Sequence, residues 1–92
     1  MNLKDKVILI TGAGSGLGKA LATAAGQAGG KVICAGRRKE KIQQTADEVN
    51  KVGGMGTAVE MDVTDLKSLE KGVKMAEKVG PIDVLILSLI HI

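Results

Sequence analysis

Residues 11–18 read Thr11-Gly12-Ala13-Gly14-Ser15-Gly16-Leu17-Gly18. Immediately before them lies Val7-Ile8-Leu9-Ile10, a short unbroken apolar run of the kind that marks a strand covered on both faces of a parallel sheet. After them Leu17, Ala20, Leu21, Ala24, Ala25 and Ala28 recur at helical spacing until Gly29-Gly30, which ends the pattern. A glycine-rich turn between a strand and a helix directs backbone N–H groups and the helix dipole onto an anion. Gly12 turns the chain off the strand, Gly16 lets the backbone approach a phosphate group, and Gly18 brings the helix close to the sheet. The plain alternative is a tight strand-to-helix turn with no ligand.

Working outward, residues 31–35 predict a second strand. Ile42, Ala46, Val49 and Val52 mark the face of a second helix that Gly53-Gly54 stops. Residues 57–61 predict a third strand. A third helix follows, with Thr64 or Asp65 at its start, Leu66, Leu69, Val73, Ala76 and Val79 turned inward, and Gly80-Pro81 closing it. Residues 82–87 predict a fourth strand. Strands alternating with helices in this way imply right-handed crossovers and a parallel sheet with helices on both faces. The expected class is therefore α/β, a Rossmann-like half in strand order 3-2-1-4, with the fourth strand left as an apolar edge.

Composition narrows the functions such a domain can serve. At 92 residues the chain holds one small domain. Hydrophobic residues make up 45%, yet Phe, Tyr and Trp are absent, so the core must be aliphatic. The net charge of +3 is spread along the chain apart from Arg37, Arg38, Lys39 and Lys41. With no aromatic platform and no basic stripe, a nucleic-acid surface is not expected. The single cysteine, Cys34, lies in an apolar run and reads as a buried structural thiol. The polar start does not resemble a signal peptide, and residues 84–92 fall far short of the roughly 20 needed to span a bilayer. A cytoplasmic protein without a membrane partner is expected, and no metal site is read.

Two other nucleotide motifs compete for the glycine turn. A phosphate-binding P-loop requires glycine and a hydroxyl where this chain has Ala13 and Ala20, despite Gly18-Lys19. A methyltransferase-like glycine pattern exists at Gly12, Gly14 and Gly16, but such a site needs an acidic residue after the second strand, where Gly36-Arg37 stands.

Taken together, Thr11 to Gly18, the strand before it, Asp62-Val63 past the third strand and Ile82-Asp83-Val84-Leu85 before the fourth resemble the short-chain dehydrogenase/reductase family. The resemblance covers residues 3–86 and implies a cofactor-binding role. Backbone groups around Ser15, Gly16 and Leu17, with Gly12 and Gly18 shaping the turn, would hold a pyrophosphate and its ribose, and Asp62, beside Val63, would accept from an adenine amino group. No acidic residue lies about 20 residues beyond the turn, where one would bind the 2′-OH of NAD. Gly36 removes bulk there, and Arg37, aided by Arg38, can pair with a 2′-phosphate. NADP(H) is therefore preferred, with NAD(H) also admissible. The other reading of the two arginines is that they are solvated residues opening the second helix.

The family's proton transfer uses a Ser, a Tyr-x-x-x-Lys pair and an Asn beyond the fourth strand, and this sequence contains no tyrosine. Ser88 and His91 do not make a triad without an orienting acid and an oxyanion site. No catalytic residue is assigned. The family's Asn-Asn-Ala-Gly is replaced by Leu87-Ser88-Leu89-Ile90, and residues 87–92 resemble translated adapter sequence. The expectation is one partial NAD(P)-binding domain over residues 1–92, with 86–92 a candidate artefact; a divergent, truncated protein is the alternative. The parent would be an oxidoreductase moving a hydride between NADP(H) and a small carbonyl or alcohol, and a homo-oligomer by the family's habit. A non-catalytic dinucleotide-binding module is the second functional reading.

Overall fold

The computed structural model describes residues 2–14 and 16–86. In chain order these form β1 (Val7–Thr11), α1 (Gly16–Gln27), β2 (Lys31–Gly36), α2 (Lys39–Lys51), β3 (Met55–Glu60), α3 (Leu66–Glu77) and β4 (Val84–Ile86). All strand pairs are parallel, and the sheet runs β3-β2-β1-β4. The α/β class and the strand order agree with the sequence reading.

Alternation along β1 and β2 builds a core on each side of the sheet. Ile8, Ile10, Val32 and Cys34 point to the side that α1 and α2 cover, where they meet Ala22, Ala25, Ile42, Ala46 and Val49. Val7, Leu9, Ile33 and Ala35 face the other side and pack with Val59, Met61 and Ala76 of α3. Each fully buried Ile or Val contributes about 1.5–3 kcal/mol over its exposed state. The continuous apolar run in β1 is thus the signature of double coverage: all five of its residues are buried.

Four local expectations are corrected. Leu17, Ala20 and Ala24 are exposed, and α1 packs instead through Gly18, Ala22, Ala25 and Gly26. The apolar periodicity of α1 is ambiguous because most of its residues are small, and close approach selected the smallest. Second, β3 begins at Met55 rather than Thr57, with Met55 N–H donating to Gly30 O at 3.1 Å. Gly56, which pairs with Val32 in the ladder, lies inside the strand, and α2 comes so close that a Cβ there would lie 2.9 Å from the Ala46 carbonyl carbon. Third, Leu66 is 68% exposed; it is the first residue of α3, and Asp65 caps that helix by accepting from Lys67 and Ser68 N–H at 3.0 and 3.4 Å. Last, β4 starts at Val84, because Asp83 occupies the preceding ladder position with its side chain: its Oδ2 accepts from Val7 N–H at 2.9 Å while its own N–H donates to Val7 O at 2.9 Å. Residues 87–92, including the expected end of β4 at Leu87, lie outside the described residues.

Candidate dinucleotide site

The register aligns the carboxyl ends of three strands at one end of the sheet, Thr11 opposite Ala35 and Gly36 opposite Glu60. The segments that leave those ends carry the glycine turn, Arg37 with Arg38, and Asp62 with Val63. β1 lies between β2 and β4, so this end holds the point where the strand order reverses, which is where open α/β sheets form a crevice.

Gly12 and Gly16 take left-handed backbone angles, φ 68° and 57°, which a side chain would strain. A Cβ on Gly16 would meet nothing within 4 Å, so the backbone at the start of α1 is open to an approaching group. Gly18 is buried for a different reason than expected. A Cβ there would overlap the Gly12 carbonyl oxygen and sit 2.7 Å from its carbon, so Gly18 allows α1 to close on the turn itself. Leu17 is 57% exposed beside these glycines. Ser15 lies outside the described residues.

The turn is tied to the neighbouring strand and helix through Ala13. Its N–H donates to Ala35 O at 3.1 Å, and its carbonyl accepts from the Thr45 hydroxyl of α2 at 2.8 Å. Sequence reasoning missed Thr45, a polar residue on the inward face of an otherwise aliphatic helix, and that mismatch was the available signal.

Arg37 and Arg38 are both exposed. Arg38 is the N-cap residue of α2 and has no side-chain capping bond, so helix capping leaves its guanidinium uncommitted. Asp62 Oδ1 accepts from the Thr64 hydroxyl at 2.6 Å and from Thr64 N–H at 2.9 Å. Those bonds, the hydroxyl first, and the nearby Arg37 charge hold the Asp62 carboxyl below its usual range. Both bonds fall on Oδ1, and Asp62 N–H is anchored on Ser68 Oγ at 2.9 Å. Thr64 therefore orients Asp62, while the capping role falls to Asp65. Val63 is half-buried and packs on the second core cluster. Among the described residues no group of His, Cys, Asp and Glu could hold a metal ion, and no helix is long and apolar enough to cross a membrane.

The sequence model of the family described as short chain dehydrogenase matches residues 6–88. The chain belongs to that family. An uncharacterized oxidoreductase of Staphylococcus aureus (strain USA300) is 40% identical over 87 residues, which cover 94% of this chain and 37% of the relative. Among solved structures, a hydroxysteroid dehydrogenase from Escherichia coli superposes with a TM-score of 0.89 at 31% identity, over 94% of this chain and 37% of that one. A 7α-hydroxysteroid dehydrogenase complexed with NADH and 7-oxo glycochenodeoxycholic acid superposes with a TM-score of 0.87 at 30% identity, over 91% and 33% of the two chains. This short-chain dehydrogenase chain thus spans about a third of the length of these relatives.

Proposed function

We propose that this chain is the cofactor-binding part of an NADP(H)-dependent short-chain oxidoreductase, one that moves a hydride between the nicotinamide and a carbonyl or alcohol. The observation that carries the reading is the convergence, at the carboxyl ends of the strands, of an open glycine turn, an arginine pair and the Asp62 carboxyl that Thr64 orients. In it, the backbone from Gly12 to Leu17, with Ser15 among those residues, binds the pyrophosphate, and Gly18 keeps α1 close enough for its N-terminus to face the anion. Asp62, held as a carboxylate and oriented by Thr64, accepts from the adenine amino group, with Val63 beside it. Arg37 and Arg38 pair with a 2′-phosphate, which an acidic residue at this position would repel. The bound dinucleotide supplies the hydride chemistry; the 92-residue sequence, which has no tyrosine, supplies binding and orientation. One structural relative is complexed with NADH, so the preference for NADP(H) rests on this chain's own residues: Gly36 and the two arginines where an acidic residue would bind the 2′-OH of NAD.

The test is titration of the chain with NADPH and NADH, each followed by nicotinamide fluorescence. Arg37→Ala should weaken NADPH binding roughly 10- to 100-fold, the size expected when a charge-assisted hydrogen bond is lost, and leave NADH within about twofold by the same reasoning. Equal losses for both dinucleotides would remove the 2′-phosphate assignment.

A further inference from the structure

We infer that Thr45 is a positioning residue that clamps the glycine turn onto α2, so that the turn is already set before a dinucleotide arrives. The inference rests on the dinucleotide reading of the turn and adds to it a residue far from the motif. Thr45 is wholly buried on the face of α2 that also buries Ile42, Ala46 and Val49. Valine has nearly the same shape and would suit that face, whereas a buried hydroxyl costs stability unless it is bonded. A helical threonine ordinarily bonds the carbonyl four residues back. Here that carbonyl, Lys41 O, is 3.2 Å away, while Ala13 O, 32 positions distant in sequence, is at 2.8 Å. With one proton to donate, the hydroxyl favours the turn.

The consequence is for the peptide between Ala13 and Gly14. Ala13 N–H is held by Ala35 O at 3.1 Å and Ala13 O by Thr45, so β2 and α2 grip the turn from two directions. No peptide bond in the described chain is cis. In a trans peptide the N–H points opposite to the C=O, so a carbonyl held toward α2 directs the Gly14 N–H away from it. Gly14 is also confined sterically, since a Cβ on it would stand 3.0 Å from Lys41 Cβ of the same helix. Arg38 occupies the N-cap position of that helix, so one element relates the turn to the arginine pair. Such pre-setting lowers the ordering cost of binding.

Three variants of the full chain test this: wild type, Thr45→Val, which keeps the shape and removes the donor, and Thr45→Ser, which keeps the donor. Thr45→Val should bind both NADPH and NADH about tenfold more weakly, the scale of one buried hydrogen bond, with the ratio between the two dinucleotides unchanged. Thr45→Ser should bind within about twofold of wild type, since the donor is retained. Amide exchange without ligand should accelerate at Ala13 in the valine variant and stay unchanged at Ile33. Wild-type affinity in Thr45→Val, or equal weakening in the serine variant, overturns the inference. A wild-type chain that binds neither dinucleotide overturns the proposed function, while the exchange measurement still decides the clamp. Should the valine variant fail to fold, NMR of the wild type decides: a slowly exchanging Thr45 hydroxyl proton coupled to the Ala13 carbonyl carbon supports the clamp, and a freely exchanging one sinks it.

Discussion

Thr64 shows how a single hydroxyl can orient a surface carboxylate. The lowered pKa of the Asp62 carboxyl comes first from the Thr64 hydroxyl, then from Thr64 N–H, against a smaller opposing effect of desolvation, with Arg37 adding the least. Replacing Thr64 by Val removes the leading cause and leaves the other two. The Asp62 pKa should therefore rise part of the way back toward the ordinary carboxylate range, as followed by its side-chain carbon shift in an NMR titration; an unchanged value would assign the effect to the backbone bond and the arginine. The sign follows from the depressed native value. Whatever stability the carboxylate contributes is present above the unfolded pKa and is lost as pH falls through the lower, native one. In Thr64→Val the contribution should be smaller and its loss should be complete at a higher pH, while the pH at which the loss begins, set by the unfolded pKa, stays the same. The sequence singled out Asp62 and Val63 through the family resemblance, since an Asp after a strand reads on its own as a loop residue or a helix cap. Thr64 was legible only as a helix start, because Asp65 beside it offers the same capping chemistry.

At the scale of an element, α1 is held by contact between small residues. Gly18 and Gly26 let α1 approach the turn and α2, where a Cβ would stand 2.7 Å from the Gly12 carbonyl carbon and 2.8 Å from Val49 Cγ1. Alanine is the better helix former by about 1 kcal/mol, so propensity alone would make Gly18→Ala stabilising. The obstacle at Gly18 is backbone, which cannot swing aside as a side-chain end can, and overpacking of that kind costs about 1–3 kcal/mol. The steric effect should prevail: a urea melt of Gly18→Ala is expected at a lower midpoint with an unchanged slope, and a raised midpoint would mean that the turn yields. The same packing explains why the stripe through Leu17, Ala20 and Ala24 misled. Six apolar residues on one short helix admit more than one face, and the face chosen here is the one that permits the closest approach.

Over the whole molecule the sheet interior is the most protected region. Cys34 sits at the centre of β2 with no exposed surface, and burial pushes its thiol up from 9.0 to about 12. A raised native pKa favours the folded state fully below the unfolded value of 9.0 and loses that advantage as pH climbs toward about 12. Alkylation of Cys34 at pH 8 should consequently require opening of the sheet and run on the order of 100-fold slower than in urea-unfolded chain. Labelling at the unfolded rate would place β2 outside the stable core. The buried, inert thiol was expected from its apolar surroundings, since a β-strand residue flanked by Val32, Ile33 and Ala35 has little prospect of reaching solvent.

The sequence by itself determined the strand and helix order, the parallel sheet and the position of the glycine turn, because each follows from local periodicity and from backbone angles that glycine permits. The placement of Arg37 and Arg38 just past β2, and of Asp62 just past β3, was legible too. Tertiary structure alone decided which small residues of α1 are buried, why Gly56 belongs to a strand, that Asp83 closes the ladder against Val7, and that Thr45 holds Ala13 across 32 positions. Those are contacts between elements, and a pattern read along one chain carries no distance between residues so far apart.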